Sequence, residues 1–490
     1  MKSPSIQAIV LAAGKSTRFN TGRTKLLERV CGQEMILYTT KLLESLNLPT
    51  TLVLGYEADA IKKTVTAHHP ALTIALQSEQ KGTGHALMCS QAFWHADHLL
   101  VMNGDMPLVT ETIIEELIAK HTDSNAEVSF VVSHCDHPVA AGYGRVIETN
   151  GKIKIVEEKD LKTIANESCC INAGIYIFKK SFAQGYLNTL STENASNEYY
   201  LTDLIAKAQN VVTIQASFDT IRGINTLKEL WSAEQIKRSE LISMWMERGV
   251  RFFAAQAVHV DVNVSIGKGT TISYGAHIIN GTVIGADCTI EPFAVIDNCT
   301  LSQNVIVYSH SVLRDSTIES DAQIGPFAHI RGKSVIKETA VVGNFVELKA
   351  TSLGIASKAK HLTYLGDARI GEHANIGAGT ITCNHNGVTK NQTTIEDFAY
   401  IGSNSTLIAP VTIGRNAYTA AGSVINKQVP ADALAIARAY QINKEGYAAK
   451  LRKKFEQGED KPKDTVNETE QVSFVGALKT HNDSALSGNT

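Results

Sequence analysis

Residues 260–296 read VDVNVSIGKGTTISYGAHIINGTVIGADCTIEPFAVI, and their aliphatic side chains fall on a grid. Val260, Ile266, Ile272, Ile278, Ile284, Ile290 and Ile296 are each six residues apart, with glycines and small residues between them. An α-helix cannot hold that stripe on one face: six residues at 3.6 per turn rotate the chain by about 600°, so successive members point about 240° apart. A prism with three short strands per coil does hold it. Six residues make one side, and each aliphatic points inward onto the neighbouring coil. The grid slips once, resumes at Ile318, Ile324, Ile330, Ile336, Val342 and Leu348, and returns at Ile395, Ile401, Leu407 and Ile413. The spacing predicts a parallel β-helix of hexapeptide repeats over 251–438.

Upstream the period is different. Residues 1–225 alternate short β-rich runs (AIVLAA, TTLVLGY, LTIALQ, HLLVMNGD, EVSFVVS, AGIYIF) with helix-like stretches such as EMILYTTKLLESLN and ETIIEELIAKHT. That alternation predicts a Rossmann-like α/β domain with a mostly parallel sheet and ligands beyond the carboxyl ends of its strands. Residues 226–250 are rich in helix formers and lack proline, so a linker helix ending near Gly249 is expected. Residues 439–455 read as a basic, amphipathic closing segment that ends in KEGYAAKLRKKF, and the polar stretch 456–490 reads as a disordered tail.

Composition narrows the function classes. A net charge of −3 over 490 residues gives no case for nucleic acid as the main partner. No run of about 18 apolar residues marks a membrane span, and the apolar run after Met1 is too short for a signal peptide. The 8 cysteines are scattered without a C-x-x-C pair, which fits reduced thiols in a cytoplasmic protein.

The loop after the first strand, LAAGKSTRFNTGRTKLL at 11–27, is neither a Walker loop nor a dinucleotide fingerprint. It resembles the turn of the sugar-1-phosphate nucleotidyltransferases, L-A-A-G-x-G-T-R followed by a lysine. The resemblance implies that a sugar phosphate attacks the α-phosphate of a nucleotide and pyrophosphate leaves. Charge building on the phosphoryl oxygens requires fixed donors and cations. Leu11, Ala12, Ala13, Gly14 and Lys25 are then nucleotide-binding, with Arg18 and Lys25 catalytic. QSEQKGTGHA supplies Gln77, Gly82 and Thr83 for the nucleobase. Asp105 in NGDMPL and Asn225 in RGINT are the implied Mg²⁺ ligands. Gly144, Glu157 and Asn172 are the implied sugar contacts, and NEYYLTD is a further family stretch with Glu198, Tyr199 and Thr202. The sequence departs from the family where Ser16 replaces a glycine, Thr24 a proline and Asn103 a tyrosine. A Ser16 at positive φ would be strained.

The stretch GNFVELKATSLGIASKAKHLTYLGDARIGEHANIGAGTITCNHNG, at 343–387, resembles the acetyltransferase half of one bifunctional family. Its members are N-acetylglucosamine-1-phosphate uridylyltransferases that are also glucosamine-1-phosphate N-acetyltransferases. The resemblance covers about residues 5–455 and implies a left-handed β-helix and a homotrimer. It also implies two reactions in the making of UDP-N-acetylglucosamine, which feeds peptidoglycan and lipopolysaccharide. An amine attacking a thioester needs a base with a pKa near neutral, and His361 matches the family's base, with Glu347 to orient it or tune its charge. Arg331 and Lys349 match sugar-phosphate ligands, and Tyr364 and Asn375 match sugar contacts. Ala378, Asn384, His385, Ser403, Ala421 and Arg438 map to the acetyl-CoA site. His385 and Lys360 depart from the family pattern, and Lys360 is expected to point away from His361. The implied substrates are UTP, N-acetylglucosamine 1-phosphate, glucosamine 1-phosphate and acetyl-CoA. Two other readings are a pyrophosphorylase whose β-helix is regulatory and a non-catalytic trimeric homologue.

Overall fold

The computed structural model describes residues 5–19, 22–135, 142–161 and 169–456. The tail expected over 456–490 lies outside these from residue 457 on. The chain divides into two units, Met1–Ala437 and Arg438–Thr490.

The first part of the larger unit is built on a sheet in the order Val211–Gln215, Val128–His134, Cys170–Lys179, His98–Asn103, Ile6–Ala12, Thr50–Leu54, Thr73–Leu76. Ile6–Ala12 at its centre is parallel to both neighbours, and its side chains are nearly all buried, as a strand covered by helices on both faces requires. Cys170–Lys179 is the exception, antiparallel to both its neighbours. Its amino end, with Asn172, therefore lies beside the carboxyl ends of the parallel strands. That reversal is how residues from four distant stretches reach one rim.

The helix Leu227–Glu247 follows. Thr226 caps it by accepting from the Glu229 N–H at 3.2 Å, while the Glu229 carboxylate accepts the Asn225 N–H at 2.7 Å. This reciprocal cap starts the helix and fixes Asn225 in the same step. Ala233 and Leu241 pack with Phe19, Val30 and Met35, whereas Trp245 joins the core of the β-helix.

The β-helix stacks its strands in parallel register, Thr271 on Thr289, Thr289 on Ile306 and onward to Tyr418 on Leu434. The aliphatics of the grid line one continuous buried core. The single slip expected from the sequence is corrected here, because the register shortens repeatedly. The inward positions step by five residues at Ile296–Leu301, Leu313–Ile318, Leu348–Leu353 and Leu365–Ile370. Each short step turns the same corner, from one sheet into the other. Two of the full six-residue steps there use two left-handed residues, Asn280–Gly281 and Gly332–Lys333, two others, Val260–Ile266 and Leu407–Ile413, use none, and the short steps use one, Asn298, Asp315, Ala350 or Asp367.

The smaller unit carries a helix, Tyr447–Glu456, exposed throughout and basic in its last turn. Among the described residues no helix is long and apolar enough to cross a membrane, and no cysteine forms a disulfide.

Candidate active sites

Two compartments open at the carboxyl rim of the sheet. One, of about 490 Å³, is lined by Leu11, Ala12, Ala13, Gly14, Lys25, Gln77, Gly82 and Thr83, with Asn103 and Asp105 at its floor. The other, of about 300 Å³, is lined by Arg18, Gly144, Glu157, Asn172, Asp105 and Asn225. Leu11, Thr83, Asn103 and Asp105 belong to both, so the compartments adjoin. The residues expected for nucleotide thus face one chamber, those expected for sugar the other, and Asp105 stands between them.

At the junction the Lys25 ammonium lies 2.5 Å from Asp105 Oδ2 and 2.7 Å from Asn225 Oδ1. Asp105 Oδ1 is buried and without a partner. A carboxylate with an unused buried oxygen beside an amide oxygen is a hard-oxygen set that suits Mg²⁺. Gln77 is buried and its amide nitrogen donates to Gly82 O at 3.1 Å. Gly82 has φ +102°, and a Cβ there would meet the Tyr199 carbonyl at 2.7 Å. The stretch around Glu198–Tyr199 is therefore the wall on which the 81–84 turn rests, with Gly84 N–H donating to Tyr199 O and Tyr199 N–H to Lys81 O, both at 2.8 Å.

In the sugar-side chamber, Glu157 accepts the Thr202 hydroxyl at 2.8 Å, and burial pushes its carboxyl upward from the ordinary range. Asn172 donates to the Tyr176 hydroxyl at 2.6 Å and accepts the Gly174 N–H at 3.2 Å. Ser16 has φ +54°, and its hydroxyl accepts the Lys25 N–H at 3.2 Å, a contact a glycine lacks.

The second cluster lies where two nine-residue strands, Val341–Lys349 and Lys358–Gly366, run side by side through a corner of the β-helix. Register places Asn344 on His361, Glu347 on Tyr364 and Lys349 on Gly366, with Arg331 stacked on Lys349 from the coil before. The His361 ring is exposed, and its Nδ1 lies 3.0 Å from Asn344 Oδ1. An amide oxygen only accepts, so this contact puts the proton on Nδ1 and leaves Nε2 as an acceptor. Glu347, expected to orient His361 or tune its charge, accepts from Arg331 at 2.5 Å, and the hydrogen bond to the His361 ring comes from Asn344. The one sequence signal for Asn344 is its place one coil before His361. Lys360 is exposed.

Lys349 lies 3.9 Å from Asp367, which also accepts from Asn384 at 2.5 Å, and Tyr364 accepts from Asn384 at 3.5 Å. Arg331, Glu347, Lys349, Tyr364, Asp367 and Asn384 thus form one polar patch. Asn375 stacks on Lys358, at the opposite end of that strand from Tyr364, and on Tyr400. Ala378, Ser403 and Ala421 stack on three successive coils: Ala378 O accepts from Asn404 N–H at 2.7 Å, and Ser403 O from Gly422 N–H at 2.8 Å. They make a strip of small side chains. His385 is exposed in the excursion closed by its bridge to Lys390. Arg438 belongs to the smaller unit and is exposed.

Comparison with known proteins matches both parts of the chain. The MobA-like NTP transferase domain matches residues 8–162, the GMPPB C-terminal domain 260–359, and the bacterial transferase hexapeptide (six repeats) 392–427. The bifunctional protein GlmU of Thermotoga petrophila is 39% identical over 451 residues, covering 91% of this chain and 100% of the relative. That of Geobacillus thermodenitrificans is 41% identical over 459 residues, covering 91% and 98%. The chain belongs to the bifunctional GlmU family. The two parts of the GlmU architecture, an NTP transferase domain and a hexapeptide β-helix, each carry one of the polar clusters described above.

Proposed function

We propose that the chain makes UDP-N-acetylglucosamine by two reactions, acetyl transfer in 251–438 and uridylyl transfer in 1–225. In the first, His361 Nε2 takes a proton from the amine of glucosamine 1-phosphate. The nitrogen attacks the thioester carbonyl of acetyl-CoA, and the tetrahedral intermediate expels CoA as its thiolate. Arg331 and Lys349 hold the sugar phosphate, two cations suiting a dianion. Tyr364 and Asn375 contact the sugar. The strip at Ala378, Ser403 and Ala421 takes the CoA arm, with Asn384 and His385 completing its site.

In the second, a phosphate oxygen of N-acetylglucosamine 1-phosphate attacks the α-phosphorus of UTP. The bond to the β-phosphate breaks and pyrophosphate leaves. Backbone N–H groups near Gly14 with Arg18 and Lys25 oppose the charge that builds up, Gln77, Gly82 and Thr83 seat the base, and Gly144, Glu157 and Asn172 seat the sugar. Asp105 and Asn225 would hold Mg²⁺, which neutralises phosphate charge when bound.

The observation that carries this reading is the meeting of the two rim compartments at Asp105, one chamber for each reactant. We further infer a homotrimer. Tyr274, Phe293, His310, Phe327 and Phe345 form an exposed ladder along one corner, with ring centroids 4.9–5.4 Å apart, and an apolar ridge of that kind suits burial against other copies. A cytoplasmic location accords with the substrates. The test is release of free CoA from acetyl-CoA and glucosamine 1-phosphate, followed by chromatography, beside UDP-N-acetylglucosamine formation from UTP. Absence of sugar-dependent CoA release overturns the acetyl-transfer assignment.

A further inference from the structure

Lys25 is the cation at the meeting point of the two chambers, and it opens a single 3-10 turn, Lys25–Leu27, that Thr24 caps by accepting the Leu26 N–H. Its backbone is held from two sides. On one, the Lys25 N–H donates to Ser16 Oγ at 3.2 Å. On the other, the Thr24 N–H donates to the Glu57 carboxylate at 2.8 Å. Thr24 has φ −66°, the angle that a proline ring would impose, but here no ring holds it. Glu57 lies on the turn after Thr50–Leu54 in the left-handed region, φ +51°, where a glutamate is seldom found. That turn is itself pinned to the phosphate loop. Tyr56 N–H donates to Ala13 O at 3.3 Å, and a Cβ on Gly55 would meet Ala13 at 2.9 Å. Glu57 caps nothing on its own helix, so its carboxylate serves the loop.

The geometry points to Glu57 as a positioning residue for uridylyl transfer: its carboxylate fixes the backbone at Thr24 and so delivers the Lys25 ammonium to Asp105 and Asn225. The inference rests on the uridylyl-transfer reading of that site. A cation displaced by a fraction of an ångström at the reacting phosphate loses transition-state stabilisation more than ground-state binding.

The test uses the full chain and three variants, Glu57→Gly, Glu57→Gln and Glu57→Gly with Thr24→Pro. Glu57→Gly keeps the left-handed turn free of strain and removes only the acceptor. It should lower kcat for UDP-N-acetylglucosamine formation about tenfold with KM for UTP held within about twofold. Glu57→Gln, which retains an acceptor oxygen, should stay within about twofold of the parent, and the proline should restore most of the loss by fixing φ in the carboxylate's place. Acetyl transfer by the same preparations should be unchanged, reporting an intact fold. An unchanged kcat in Glu57→Gly, or a double variant no better than the single one, overturns the proposal. If the parent itself makes no UDP-N-acetylglucosamine, the functional reading fails, and the clamp is judged by hydrogen exchange. Segment 22–27 should exchange faster in Glu57→Gly than in the parent, and equal exchange overturns the clamp.

Discussion

In the proposed acetyl transfer His361 is the base: its Nδ1 is committed to Asn344, which leaves Nε2 to take the proton. His361→Ala should lower acetyl transfer by about 10²–10⁴-fold and leave uridylyl transfer intact, with each half-reaction assayed alone. Asn344→Ala acts only through the ring's orientation and tautomer, and a loss of about tenfold in acetyl transfer is expected. Ser16 presents opposing effects. Its left-handed backbone costs about 1 kcal/mol, and its bond to the Lys25 N–H returns about as much. Ser16→Gly should therefore shift KM for UTP by less than about threefold, and a larger change in titrations with UTP would show that one effect dominates. The candidate residues were legible where a motif carries them in one run, as in LAAGKSTR or KHLTYLGD. Asn344 and Glu57 were not, because each meets its partner through strand register or a turn that brings together residues far apart in sequence. The contact of Glu347 with Arg331 was not legible for the same reason, since Arg331 reaches it from the preceding coil.

At the scale of the element, the six-residue grid was readable because burial repeats at every inward position, so chain and structure share one period. The corners were not readable to the same depth. A short corner needs a single left-handed residue, and Asn, Asp and Ala all fill that place here. Their identity therefore does not announce whether five or six residues will be used. Asn298, at φ +50°, also donates to Asp315 at 2.6 Å. Asn298→Val should destabilise the β-helix by about 1–2 kcal/mol, since a β-branched side chain is strained there. Thr300→Val, on the exposed face of the next strand, should be nearly neutral, and thermal unfolding of the two variants side by side checks the contrast.

For the whole molecule, an exposed aromatic ladder and a buried histidine pair make separate demands. Phe327→Asp, in the middle of the ladder, should convert trimer to monomer in sedimentation velocity and reduce acetyl transfer more than uridylyl transfer. Far from both clusters, His98 Nδ1 and His121 Nε2 lie 2.8 Å apart, and His121 is fully buried. Burial, reinforced by the neighbouring His98, lowers His121 to about 4. A histidine held neutral below its ordinary 6.5 binds its proton later in the fold than in the unfolded chain. Its contribution, about 3 kcal/mol, is present in full above pH 6.5 and is lost as the pH falls toward 4. Tm should drop between pH 7 and pH 5 more steeply in the parent than in His121→Gln. The central claim is that one chain holds two independent chemistries. The measurement that tests it most directly supplies acetyl-CoA, glucosamine 1-phosphate, UTP and Mg²⁺ together and follows free CoA and UDP-N-acetylglucosamine in the parent, His361→Ala and Asp105→Ala. The account predicts both products from the parent, neither from His361→Ala, with UDP-N-acetylglucosamine alone appearing there once N-acetylglucosamine 1-phosphate is added, and CoA alone from Asp105→Ala. CoA release that survives His361→Ala, or nucleotide-sugar formation that survives Asp105→Ala, would contradict it.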